Sequence, residues 1–147
     1  MNQVPMNQVP MKRALFDVNV ILDVLLDRRP HSEASGAAWA AVETGAAAGF
    51  ISAHAVTTIH CLVRKELGAV QTRRILSGIL SVFGVATVDA AVVHEAIQLP
   101  CPDFEDAVTA AAARNAACDL IVTRDPKGFR GSPVRPLTPE AVLPLFK

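Results

Sequence analysis

The chain is cut into short apolar runs that stop at aspartates, and this constrains its fold more than any other feature. Asp17 follows Arg13-Ala14-Leu15-Phe16, and Asp125 follows Leu120-Ile121-Val122-Thr123-Arg124. Asp106 opens an alanine-rich run after Pro102. Short continuous apolar runs that alternate with helix-period segments predict a parallel sheet covered on both faces. In such a sheet, ligands bind in the crevice at the carboxyl ends of the strands. Carboxylates gathered there repel one another, which implies a divalent cation. Oxygen donors of this kind suit Mg²⁺ or Mn²⁺.

The pattern along the chain supports that class. Residues 12–18 read as a first strand, and Asn19 is suited to cap a short helix running to about Asp27. A second helix is expected over residues 32–44, with Gly45 and Gly49 bracketing its exit before a brief strand at 50–52. The next helix spans 53–67, with Val56, Ile59, Val63 and Leu67 on one stripe and Gly68 as its stop. Leu76, Ile79, Leu80 and Phe83 give the following helix the same period. A third strand at 85–88 leads to a helix capped by Asp89, holding Val92, Val93, Ala96 and Ile97. A helix over 104–117, a fourth strand at 120–123 and a weak fifth including Val134-Arg135 complete the series.

Composition narrows the class further. A length of 147 residues with 51% apolar content is most economically one domain with an ample core. No apolar run approaches the ~18 residues of a membrane span. Fourteen basic and fourteen acidic residues cancel, so any polyanion site must be a local basic patch. Cys61, Cys101 and Cys118 are odd in number and lack metal-ligand spacing. They read as buried structural thiols in a reducing cytoplasm. Residues 1–5 are repeated at once as residues 6–10, without the features of a signal peptide. A stray start segment over 1–10 and a single domain over 11–147 are therefore expected.

Each aspartate also has a purely structural reading. Asp17 suits a cap or turn, and Asp103 and Asp106 suit the first turn of a helix, where negative charge is favoured by about 0.3–1 kcal/mol. Asp125-Pro126-Lys127-Gly128 has the residue order of a type I turn. It is the joint placement of the acids at strand ends and helix starts that points to a metal site.

The same segments carry a family resemblance. Leu15-Phe16-Asp17-Val18-Asn19-Val20-Ile21-Leu22-Asp23 resembles the opening motif of PIN domains. Asp103-Phe104-Glu105-Asp106-Ala107, running into Ala110-Ala111-Ala112-Ala113, resembles that family's third acidic motif. Leu120 to Asp125, with Phe129 beyond, resembles its fourth. The motifs stand in the family's order over nearly the whole chain, and the nearest likeness is to bacterial VapC-type toxins of toxin–antitoxin pairs. The resemblance implies a three-layer α/β/α fold with a central parallel sheet of four or five strands. It also implies a metal-dependent ribonuclease leaving a 5′ phosphate, an antitoxin that inserts a segment into the acidic crevice, and a homodimer. Asp17, Asp106 and Asp125 would line the metal site, with Asn19 and Thr123 as polar supports and Asp103 as a secondary ligand or cap.

One departure stands out. The family places a Glu about six residues beyond a Ser on the helix after the second strand, and from Ser52 that count lands on Thr58. Thr58 supplies no carboxylate, but as a supporting residue its hydroxyl could hydrogen-bond a metal-bound water; Glu66 is two turns further on, and His54 and His60 are neighbours without an assigned role. Either three aspartates suffice, or metal affinity and activity are weakened. Arg124, Lys127 and Arg130 beside Asp125 are the expected substrate contacts, with Arg64-Lys65 and Arg73-Arg74 as a second basic group. Single-stranded RNA is the substrate the resemblance implies, although the chain has no Tyr and one Trp to stack on bases. A dehalogenase-like phosphatase would need an acid two residues after Asp17, where Asn19 stands, and a receiver domain would need an acidic pair at the first strand end. The stronger rival is a PIN-like domain that binds RNA or a protein without cleaving.

Overall fold

The structure, a computed structural model, describes residues 11–146; the expected start segment at 1–10 lies outside them. Five strands form one parallel sheet in the order β3-β2-β1-β4-β5. They are β1 (Lys12–Phe16), β2 (Ala47–Ser52), β3 (Gly84–Ala86), β4 (Leu120–Val122) and β5 (Arg135–Leu137). The intervening helices are α1 (Val18–Leu25), α2 (His31–Glu43), α3 (Ala53–Leu67), α4 (Ala69–Val82), α5 (Ala90–Gln98), α6 (Phe104–Asn115) and α7 (Pro139–Val142). This is the three-layer α/β/α arrangement implied by the alternating pattern.

Successive side chains of the inner strands go to opposite faces, as the period of two requires. Ala14, Phe16, Leu120 and Val122 pack with α1, α2, α3 and α4. Leu15 and Ile121 pack with α5 and α6 on the other side. On the first face, Phe83 meets Phe16 and Trp39 edge-on, with ring centres 5.1 Å and 5.0 Å away. That packing leaves no room beside β2 at Gly49.

Helix α6 is buried from Ala107 to Ala113 without a break. A helix apolar all round is enclosed on all sides, and its alanines let it lie close to both the sheet and α5. Arg13 fixes its far end: the guanidinium donates to the carbonyls of Ala116 at 2.7 Å and Ala117 at 3.2 Å. The carbonyls of the C-cap residue and of the residue just past it are thereby satisfied.

Several expectations are revised. Asn19 does not cap α1: the helix begins at Val18, Asp17 occupies the cap position, and Asn19 is exposed on the first turn. Gly49 lies inside β2, which begins earlier than expected because Ala47 and Ala48 pair with β1 despite their low strand propensity. Leu80, Val93 and Ile97 sit on the outer faces of their helices and are exposed rather than on the core stripe. Of the cysteines only Cys118 is buried; Cys61 is exposed on α3 and Cys101 is partly covered. Gly68 does end α3, with φ +78, and Asp89 does cap α5 by accepting from Val92 N. Among the described residues, no helix is long and apolar enough to cross a membrane.

Two glycines test the packing. A Cβ on Gly49 would lie 2.7 Å from ring carbons of Phe83 and 2.8 Å from Val42, whereas one on Gly36 in α2 meets nothing within 4 Å. Gly49→Ala is expected to lower unfolding free energy by about 1–3 kcal/mol. Gly36→Ala is expected to raise it by roughly 0.5–1 kcal/mol. Urea unfolding of both variants checks this; equal responses would contradict the close approach at β2.

Candidate metal centre at the sheet switch point

The chain passes from β1 outward to β2 and β3, then returns to place β4 on the other side of β1. The switch point of the sheet therefore lies between β1 and β4, and their carboxyl ends open a crevice there. Asp17 follows β1 directly, and its amide donates to Val122 O at 2.9 Å, extending the β1–β4 pairing to the crevice floor. Thr123 follows β4 and is fully buried. Its hydroxyl donates to Asp17 Oδ2 at 3.0 Å and accepts from the Asp125 amide at 3.1 Å. One hydroxyl thus fixes the acid from β1 and the backbone of the acid after β4.

The third wall is the start of α6. Asp103 caps that helix by accepting from Asp106 N at 3.1 Å, so its structural reading holds. Asp17, Asn19, His54, Asp103, Glu105, Asp106 and Thr109 line a crevice of about 260 Å³ with Val18 and Ala55. Asp125 approaches Asp106 from the other side, after β4. A Cβ on Gly128 would lie 2.9 Å from Asp106 Oδ2 and 3.1 Å from Asp125 Oδ2. Only the absent side chain of Gly128 leaves both acids room to close on one point. The turn that carries it follows the residue order: Gly128 N donates to Asp125 O at 3.1 Å, and a 3-10 turn runs over Pro126–Phe129.

Electrostatics register the crowding. Partial burial, and then Asp17, Asp103, Glu105 and Asp125, push Asp106 up to about 7 from 3.8. Burial also raises Asp17, against the lowering effect of its Thr123 hydrogen bond. His54 is lowered by its own burial, with Glu105 opposing, which favours the neutral imidazole.

The remaining candidates separate. Thr58 is half-buried one turn beyond His54 on α3 and is not part of the crevice lining, to which α3 contributes His54 and Ala55. Arg64, Lys65 and Glu66 lie exposed near the other end of α3, about three turns from His54. Lys127 and Arg130 are exposed on and after the turn that follows Asp125. Arg124 turns toward buried Asp23 instead of standing free, with Nε 2.8 Å from Asp23 Oδ2. The residues missed by sequence reading are Glu105, Gly128 and Asp23. A third acid beside Asp103 and Asp106 was visible for Glu105; nothing local marked the other two.

Among the described residues, no three His, Cys, Asp or Glu side chains are already gathered tightly enough to hold one ion. The donor set nonetheless suits a hard cation, because carboxylate oxygens dominate the crevice and no Lys or Arg lines it to offset them. Asp106, raised to about 7 by burial first and by the neighbouring acids second, is the group on which a cation would act most.

The PIN-domain family profile matches residues 13–127, and the chain belongs to the PIN-domain family. Its fold is similar to solved chains from three assemblies. One is a toxin–antitoxin complex from Klebsiella pneumoniae, with 24% identity over 86% of this chain and 97% of that one and a TM-score of 0.64. Another is VapBC2 from Rickettsia felis bound to a promoter DNA fragment, with 16% identity over 86% and 98% of the two chains and a TM-score of 0.65. The third is DNA-bound VapBC from Salmonella typhimurium, with 16% identity over 88% and 99% and a TM-score of 0.66. At these identities the likeness is one of fold. No curated protein sequence gives a significant match.

The raised Asp106 has a signed consequence for the metal-free protein. An acid whose folded pKa is raised stabilises the fold below its unfolded value, and loses that contribution as pH rises through the folded value. For Asp106 the loss falls between about pH 4 and pH 7. In EDTA, Asp106→Asn is therefore expected to melt above wild type at pH 8 and close to it at pH 4. Thermal melts across that range check this; an Asn variant less stable than wild type at pH 8 would contradict the crowding.

Proposed function

We propose that this chain is a metal-dependent endoribonuclease, the toxin of a toxin–antitoxin pair, using Mg²⁺ or Mn²⁺ to hydrolyse RNA phosphodiester bonds. The observation that carries the reading is the crowding of Asp17, Asp103, Glu105 and Asp106 in one crevice, with Asp106 pushed to about 7. Membership of the PIN-domain family and the fold likeness to toxin–antitoxin assemblies support it.

Asp17, Asp106 and Asp125 would hold the cation, with Asp103 and Glu105 adding negative charge at the rim. When bound, it would neutralise charge on the scissile phosphate and make a water a competent nucleophile. Thr123 orients Asp17 by donating its hydroxyl to one carboxylate oxygen, and so would hold the acid in place as a ligand. Asn19 and Thr109 add polar groups to the crevice lining, the Thr109 hydroxyl donating to Glu105 O at 3.0 Å. Lys127 and Arg130 stand beside Asp125 to meet the strand's phosphates. In-line attack by that water would break the P–O3′ bond, giving a 3′ hydroxyl on one fragment and a 5′ phosphate on the other.

The same charge explains the expected partner. A basic antitoxin segment would occupy the crevice by pairing Arg or Lys with carboxylates that otherwise hold the cation. A homodimer is the assembly expected for the chain, and exposed Val93 and Ile97 on α5 supply apolar surface for one. A second reading, a domain that binds RNA or a protein without cutting, is favoured by Thr58 and by the absence of three tightly gathered ligands among the described residues.

Cleavage of a mixed RNA panel in EDTA, Mg²⁺ or Mn²⁺ decides between the two. Wild type is expected to cut only with metal, and Asp17→Asn to lose at least ~100-fold in rate, the scale on which positioned charge acts in such sites. RNA binding without cleavage by folded wild type would favour the second reading. Gly128→Ala should separate Asp106 from Asp125 and weaken Mn²⁺ binding by roughly tenfold, as changes beside metal ligands do. Its melting temperature should change little. Calorimetry and a thermal melt read both; unaltered affinity would show that the close approach at Gly128 does not matter.

A further inference from the structure

Asp23 is a carboxylate that the crevice does not use. It sits on the inner face of α1 with no exposed surface, flanked by buried Ile21 and Leu22. A charged side chain is almost never fully buried without a partner. Its one ionic partner among the described residues is Arg124, whose Nε lies 2.8 Å from Oδ2. Ser35 of α2 adds a long hydroxyl contact at 3.4 Å to the same oxygen, and Oδ1 has no hydrogen-bond partner. The Nε–H does not point along the line to Oδ2, so the contact is an ion pair rather than a straight hydrogen bond.

The location of Arg124 gives this pair its interest. The residue stands between Thr123, which binds Asp17, and Asp125, and it is close enough to Asp17 to oppose slightly the rise that burial imposes on that acid. Its side chain is 30% exposed and lines a second small cavity of about 170 Å³ with His31, Ser35 and Thr138. The one acid in that lining, Glu140, is exposed on α7. Guanidinium is a planar fork with five donors. Asp23 holds it at Nε, the inner edge, which leaves the two terminal nitrogens to serve a second anion.

We propose that Asp23 is a positioning residue that clamps Arg124 by its inner edge, presenting the outer edge to a backbone phosphate of RNA at the seam between the acidic crevice and this side cavity. The inference rests on the ribonuclease reading for its ligand. A clamped guanidinium has little rotamer freedom left to lose on binding, so one fixed Arg does more there than a mobile surface cation. The pair also places positive charge next to the acids without neutralising them, because Asp23 already holds one edge.

The test separates this clamp from an ordinary structural ion pair. Binding of fluorescein-labelled single-stranded RNA to full-length Asp17→Asn in EDTA is followed by anisotropy over a range of NaCl concentrations, with Arg124→Lys and Asp23→Asn added to that background. Arg124→Lys keeps the charge and can still pair with Asp23, but it spends its compact ammonium there and has no fork to offer. It is expected to melt close to the parent while binding RNA about tenfold more weakly or worse. The slope of log affinity against log salt should fall by about 0.7, the effect of one phosphate contact to a single strand. Asp23→Asn, where it folds, should lose affinity to a similar degree, and the double variant should lose no more than either single one. Arg124→Lys with parental affinity and slope would overturn the clamp while leaving RNA binding intact. No RNA binding by the parent even at low salt would overturn the clamp together with the reading it rests on.

Discussion

Like charges are held together here against their own repulsion, and most of what is distinctive in the molecule follows from how that is done. Near the end of β1, Asp106 is partly buried and Asp17, Asp103, Glu105 and Asp125 all bear on it. Water would separate them in an unfolded chain. In the fold, α6 is held in place by seven consecutive buried residues and by Arg13 at its far end, so its acidic first turn cannot move away from the sheet. Apolar burial along the helix offsets the electrostatic cost at its tip. The cost appears as a carboxyl raised to about 7 by burial and by excess negative charge, which a cation or a basic peptide can relieve.

The sheet topology gives that arrangement its location. Because β1 is central and the chain reverses beside it, the ends of β1 and β4 are neighbours, and residues more than a hundred positions apart meet through one hydroxyl. Thr123 therefore acts as a joint between two strands as much as a support for one acid. Arg124, next in sequence, turns the other way and ties the same strand end to α1 through Asp23. Alternate residues after β4 thus serve opposite sides of the crevice wall, which is the pleat of the strand carried one step beyond its hydrogen bonds.

Much of this was legible in the sequence because it is local. The bounds of α3 follow from its apolar stripe and from Gly68, and the caps of α5 and α6 follow from Asp89 and Asp103. Asp17 and Asp125 were visible because each stands just beyond a run too apolar to be anything but a buried strand. What was not legible depends on pairing across the chain. Asn19 looked like a cap, but the helix starts earlier because Asp17 lies at its head and turns its carboxylate to Thr123 instead. Thr58 stands where an acid was expected, yet the polar residue of α3 that reaches the crevice is His54, one turn nearer the strand. Arg124 read as a substrate contact beside Lys127 and Arg130, and nothing near it in sequence announces its pairing with a buried aspartate on α1. Gly128 read as a turn residue, and its second role as the gap between two carboxylates appears only in three dimensions.

The most direct test is a calorimetric titration of Mn²⁺ into wild type and Asp106→Asn at pH 7, repeated in buffers of different ionisation enthalpy. An acid near pH 7 that becomes a ligand must give up its proton, so wild type should release up to about half a proton per ion bound. Asp106→Asn should release almost none and bind more weakly. Mn²⁺ binding with no proton release by wild type, or with the same release by both proteins, would contradict a crevice built on crowded carboxylates around Asp106.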